Sequence, residues 1–184
     1  MMFLLQPIAK HAKAISNTFI QASIPKKVAI TALLSGVSAI IQSAGGLIPA
    51  VGLFISPFAT APIILMMILT VRYGFVGYFL TIFLLFFIQP SEVIVFPFTT
   101  GLLGIGIGLS FHILNSRLSI ILAGAGALFA GILILMLGLR FPVLGPSVYL
   151  GAGLRTFLFI ALFSFLYSWI WVELSIFLLK RLRR

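Results

Sequence analysis

Apolar residues run in long, nearly unbroken blocks along this chain, and polar residues are confined to the short gaps between them. A helix needs roughly 20 such residues to cross a bilayer, where every backbone group must be satisfied inside the protein. The pattern predicts about six spans: Val28 to Ala44, Phe58 to Val71, Phe75 to Ile88, Val93 to Leu114, Leu118 to Leu139 and Thr156 to Leu179. Between them lie Gly45 to Pro57, the turns Arg72-Tyr73-Gly74, Gln89-Pro90-Ser91-Glu92 and Asn115-Ser116-Arg117, and a longer loop from Arg140 to Arg155. Gly45 to Pro57 is rich in glycine and proline yet mostly apolar. Backbone at membrane depth must be shielded by protein or face a wet cavity, so this segment is either a lid or a tight re-entrant corner. The stretch from Val28 to Val71 also has room for a half-helix. In the fourth span Pro97 frees backbone groups upstream, and Thr99 and Thr100 are placed to re-satisfy them.

Residues 1–25 form a separate unit. Pro7 interrupts a short apolar opening, after which Lys10, His11 and Lys13 alternate with Ile8, Ile15, Phe19 and Ile20 at near-helical spacing. This predicts an amphipathic helix lying in the membrane interface. The cations follow the apolar run rather than precede it, which is the reverse of a signal peptide. A leader role is the alternative reading. Residues 26–184 make the transmembrane domain.

Composition sharpens the class. The chain is 62% hydrophobic and 8% charged, where a soluble domain carries about 25% charged residues. The fold class is therefore all-α, a polytopic membrane helix bundle. Twelve Lys and Arg against two acids give a net charge of +10. Such a balance can mark nucleic-acid binding, but here the cations sit at span ends, where they set topology and meet anionic lipid heads. No nucleic-acid partner is expected. Lys26, Lys27, Arg72, Arg117 and the closing Lys180, Arg181, Arg183 and Arg184 fall on one side of a six-span bundle. Arg140, Arg155 and Glu92 fall on the other. The positive-inside rule then puts both termini in the cytoplasm. A multi-pass protein of a bacterial cytoplasmic membrane is the expectation. No cysteine is present, which excludes disulfides, iron–sulfur clusters and thiolate zinc. There is no aspartate either, so a Ser-His-Asp triad cannot be built and two-metal phosphoryl transfer lacks its carboxylates. No enzyme activity, catalytic residue, metal or cofactor is expected.

The remaining polar groups can be weighed singly. His112 lies in the fourth span with no acid near it in sequence, and reads as a packed, hydrogen-bonded residue rather than a base. Gly104-Ile-Gly106-Ile-Gly108 lacks the strand that a nucleotide loop requires; it is a packing face or a place where the helix opens. Glu173 is an acid within the sixth span. Intramembrane acids are costly and usually face the bundle interior. It either pairs with a cation such as Arg72 or Arg117 or marks an ion path, and pairing is favoured. Ala32 and Gly36, and Ser35 and Ala39, form small-xxx-small pairs on the first span, suited to packing within the bundle or to a second membrane protein. Gly151, Gly153 and Arg155 open the sixth helix. Unpaired N–H groups at a helix start favour an anion, and arginine adds a planar fork. With Arg140, Ser147, Tyr149 and Glu92 they make a candidate ligand site. A plain ion pair between Glu92 and one of the arginines is the competing reading.

The layout resembles the S-components of energy-coupling factor transporters, small six-helix bacterial proteins that capture vitamins and related micronutrients. The resemblance rests on the size, the Lys26-Lys27-led first span with Ala32, Gly36 and Ala39, and the apolar Gly45–Pro57 loop. It also rests on Arg72-Tyr-Gly74-Phe-Val-Gly77 and Gly101-Leu-Leu-Gly104. It covers about residues 26–180 and extends equally to uncharacterised relatives with the same glycine pattern. It implies that Ala32, Gly36 and Ala39 face a transmembrane coupling subunit, which works with two ATPase subunits. It also implies that a small molecule binds between the Gly45–Pro57 and Arg140–Arg155 loops. The alternative is a non-transporting partner subunit of a membrane complex, using Glu173 and the small-residue faces for assembly.

Overall fold

The computed structural model describes residues 16–48, 50–141 and 153–182. These are almost entirely helical and contain no strand. Six stretches are long and apolar enough to cross a membrane: Ile24–Leu47, Val51–Leu69, Val71–Ile88, Glu92–Ile113, Arg117–Gly138 and Leu154–Arg181. The chain is an all-α, multi-pass membrane protein. Most of the amphipathic segment expected over residues 1–25 lies outside the described residues. Its described end, residues 16–20, is helical. There the Ser16 hydroxyl donates to the Leu69 carbonyl at 2.9 Å, and Phe19 packs edge-on to Tyr73 at 6.0 Å.

Helix α1 spans Ile24–Leu47, with Pro25 in its first turn, where the missing N–H would have had no partner. The helix runs on through Gly45 and Gly46. A corner follows, in which Ala50 takes a positive φ of 61°. Then come α2, Val51–Ile55, and a 3-10 turn, Ser56–Ala59, leading into α3, Thr60–Leu69. The second span thus begins at Val51, not at Phe58 as the pattern suggested. Leu53, Phe54 and Ile55 are too apolar for a watery loop, and a helix satisfies their backbone internally. Thr70, extended at φ −164° and ψ 133°, alone separates α3 from α4, Val71–Ile88. Arg72 and Tyr73, expected in a turn, already belong to α4. The tight corner depends on Gly74, where a Cβ would run into Met67.

The fourth span is two helices, α5, Glu92–Phe98, and α6, Thr100–Ile113, broken at Thr99 (φ −116°, ψ −101°). Pro97 causes the break by removing a donor. The Thr99 hydroxyl donates to the Val95 carbonyl at 2.8 Å, and Tyr78 reaches over from α4 to donate to the Pro97 carbonyl at 3.1 Å. Helix α7, Arg117–Leu133, is capped by the Ser116 hydroxyl, which accepts from the Ser119 N–H, and it ends in a π-helical turn, Ile134–Gly138. Helix α8 spans Leu154–Leu182.

Helix α3 is the wall on which the bundle is built. On one side Ile64 and Ile68 join Leu103, Ile107, Phe111, Ile120, Ile121, Trp171 and Val172 of α6, α7 and α8 in one apolar core. On the other, Ile63, Met66 and Met67 join Ala39, Tyr78, Leu85 and Phe96 in a second. The methionines fill glycine notches: a Cβ at Gly77 would meet the Met66 sulfur, and one at Gly108 would meet Met67. Gly106, on the opposite face of α6, leaves room for Ala127 of α7. The Gly104–Gly108 run is therefore a packing face on both sides.

Candidate functional site

The bundle has two chemically different ends. One, the basic end, carries Lys26, Lys27, Arg72, Arg117, Lys180 and Arg181. The other, the corner end, carries the corner after α1, the turn before α5 and residues Arg140 and Arg155. Each end holds one of the two acids of the chain.

At the basic end Glu173 meets Arg117: the guanidinium donates to both carboxylate oxygens, at 2.9 and 3.2 Å. Of the two cations named from sequence, Arg117 is the partner; Arg72 is exposed. The pair ties α8 to the start of α7 and gives Glu173 a structural task. His112 is hydrogen-bonded as well, with Nε2 2.8 Å from the Met67 carbonyl.

At the corner end the polar groups converge. Gln42 of α1 is 3% exposed. Its amide donates to Oε2 of Glu92, at the start of α5, at 2.7 Å. Its carbonyl accepts from the Thr100 hydroxyl, at the start of α6, at 2.8 Å. The second Glu92 oxygen, Oε1, looks toward the corner. It lies 3.6 Å from where a Cβ on Gly45 would stand, and Ser56 lies 3.1 Å from the same point. Gly52 holds the corner closed, since a Cβ there would strike the Ala44 carbonyl. The Gly45–Pro57 segment is therefore neither a lid nor a re-entrant loop but the facing ends of two spans, packed against a polar cluster. Gln89 lies across Gly46 at the rim and donates to the Ser91 hydroxyl at 3.1 Å.

The residues expected to bind a ligand are only partly brought together. Glu92 joins the cluster, but its partner is Gln42, and neither Arg140 nor Arg155 pairs with it. Both arginines are exposed, and Arg140 has a positive φ of 53°. Gly153 precedes α8 and is exposed. Ser147, Tyr149 and Gly151 lie outside the described residues. The four small residues of α1 do not share one face. Ser35 and Ala39 are buried, with the Ser35 hydroxyl donating to the Thr31 and Gly77 carbonyls at 2.8 and 3.1 Å. Ala32 is exposed, and Gly36 has open space where a Cβ would be.

Gln42, Ser56 and Thr100 were not singled out as site residues. The signal for Gln42 was present, because an amide deep in an apolar span must find partners inside the bundle. Deeper still, the Ser38 hydroxyl donates to the Ala59 carbonyl and the Ser168 hydroxyl to the Ile121 carbonyl, at 2.9 and 2.8 Å. Among the described residues the buried hydroxyl of Ser164 has no hydrogen-bond partner.

No family model, curated protein or solved structure matches this chain.

Proposed function

We propose that this chain is the membrane-embedded substrate-binding subunit of a vitamin or micronutrient uptake transporter of the energy-coupling factor type, in a bacterial cytoplasmic membrane. The observation that carries the reading is the Gln42–Glu92–Thr100 cluster. It draws α1, α5 and α6 together under a closed corner, at the end of the bundle opposite the basic cluster. An ionisable group at membrane depth is expensive and is by default a candidate functional site. With the basic end in the cytosol, as the positive-inside rule requires, the cluster faces outward, where a capture subunit meets its ligand. The chain carries no nucleotide motif, so energy would come from two ATPase subunits through a coupling subunit. Binding occurs outside, the coupling subunit tilts the bundle, and release follows inside. The open Ala32–Gly36 face of α1 offers the coupling subunit a close helix approach. The exposed Arg140 and Arg155 would meet an anionic part of the ligand.

The alternative is a non-transporting partner subunit of a membrane complex. It draws support from the same Ala32–Gly36 face, but Glu173 is engaged by Arg117 within the chain. Affinity purification from the native membrane separates the two. The capture reading expects a coupling subunit and two ATPases to come with the chain, and mass spectrometry to find a small molecule retained by wild type and lost from Glu92→Gln. Recovery of other membrane proteins with no coupling subunit and no retained molecule would overturn it.

A further inference from the structure

We infer that α5 is a hinged gate at the corner end, pivoting at Thr99 and latched shut by the Glu92–Gln42 hydrogen bond. The two ends of this seven-residue helix are held in different ways. Its last turn is pinned by packing. Phe96 is fully buried and stacks on Tyr78 at 5.8 Å, and the Tyr78 hydroxyl donates to the Pro97 carbonyl at 3.1 Å. Glycines let the backbone come close here: a Cβ on Gly101 of α6 would meet the Phe96 carbonyl, and one on Gly131 of α7 would strike the Phe98 carbonyl. The helix breaks directly afterwards, at Thr99. Pro97 supplies no N–H, so fewer backbone bonds cross the break than in an intact helix, and bending is concentrated there.

The first turn of α5 has no such packing. Ile94 is 43% exposed, and Val93 and Val95 are half-buried. Among the described residues, the only side-chain hydrogen bond tying residues 92–95 to another helix is the one from Gln42 to Glu92, at 2.7 Å. Gln42 bonds to both sides of the hinge. Its carbonyl accepts from the Thr100 hydroxyl, beyond the break, at 2.8 Å, which turns its N–H₂ side to the carboxylate. The two bonds are unequal in what their loss costs. Thr100 is buried and would leave its hydroxyl unsatisfied, whereas the half-buried Glu92 can exchange the amide for water as α5 swings out. The Glu92 bond is therefore the one that releases. Its release uncovers Gln42 and Thr100 at the end of the bundle where the capture reading puts the ligand, and local openings of this kind are drawn from the least stable parts of a fold.

The inference rests on the capture reading only for the use of the gate. Its test needs neither ligand nor coupling subunit, so it can fail while ligand retention stands. The chain has no cysteine, so spin labels can be placed at will. One pair, Leu47→Cys with Ile94→Cys, joins the exposed end of α1 to the exposed face of α5; a reference pair, Leu47→Cys with Phe87→Cys, joins α1 to the end of α4. Distances are read by pulsed electron paramagnetic resonance on the purified chain in lipid nanodiscs. The 47–94 pair should give one dominant distance. Gln42→Leu and Glu92→Ala, which undo the latch from its buried and its half-wet side, should each raise a longer-distance population roughly tenfold, as expected for loss of a hydrogen bond to a charged group. Tyr78→Phe acts at the pinned end and should leave the distribution unchanged, and the reference pair should not move in any variant. No longer-distance population in either latch variant, an equal response to Tyr78→Phe, or a lengthening of both label pairs would overturn the inference.

Discussion

Breaking the Arg117–Glu173 pair should cost very different amounts depending on which partner is removed. The Arg117 side chain is 6% exposed and that of Glu173 is 36% exposed. Glu173→Gln leaves a guanidinium buried without its carboxylate. Losing one partner of a fully buried pair costs about 3–5 kcal/mol, and the partial wetting of Glu173 reduces this to about 2–3 kcal/mol here. Arg117→Met keeps the apolar stem and removes the charge. The carboxylate it leaves behind can reach water, so the cost should be only about 1 kcal/mol. The double variant contains neither charge and should resemble Arg117→Met rather than the sum of the two. Equilibrium unfolding in mixed micelles, followed by Trp169 and Trp171 fluorescence, gives all four values. Equal losses for the two single variants, or strict additivity in the double, would refute the assignment of a buried cation balanced by a half-wet acid.

Two further outcomes follow from packing and hydrogen bonds. Ser164→Ala should raise stability by about 1 kcal/mol, since its fully buried hydroxyl has no hydrogen-bond partner among the described residues and only its desolvation is removed. Ser168→Ala, one turn on, should lower stability by about 1 kcal/mol through loss of the bond to Ile121. The same unfolding assay checks both, and a loss at Ser164 matching that at Ser168 would count against the reasoning. Gly108→Leu should cost about 3 kcal/mol, because its side chain would displace Met67 and press on the Ile64 carbonyl; poor recovery of folded protein from membranes is the expected readout.

Much of the fold was legible because lipid imposes one rule. Every span must be a helix, and apolar length counts the spans. The disturbance of the fourth span was readable from Pro97, whereas the sequence leaves the pairing of Glu173 open between Arg72, Arg117 and water, and only the structure picks Arg117. What was not legible depends on rotation and depth. Four residues on α1 at small-xxx-small spacing look alike in sequence, yet Ser35 and Ala39 turn inward while Ala32 and Gly36 turn out. The pairing of Gln42 with Glu92 joins positions fifty residues apart, and no local pattern encodes it. The corner was misread in extent because glycine and proline suggested a loop, whereas its apolar residues favoured short helices.

The sulfur atoms of α3 have a use outside the molecule's own workings. Met66 and Met67 are 1% and 0% exposed, so dilute peroxide cannot reach them while the helices stay together. A sulfoxide oxygen on Met66 or Met67 would not fit the glycine notches they fill, and oxidation would be self-propagating damage. The extent of their oxidation, read peptide by peptide, is thus a built-in clock for how often this bundle comes apart in the membrane.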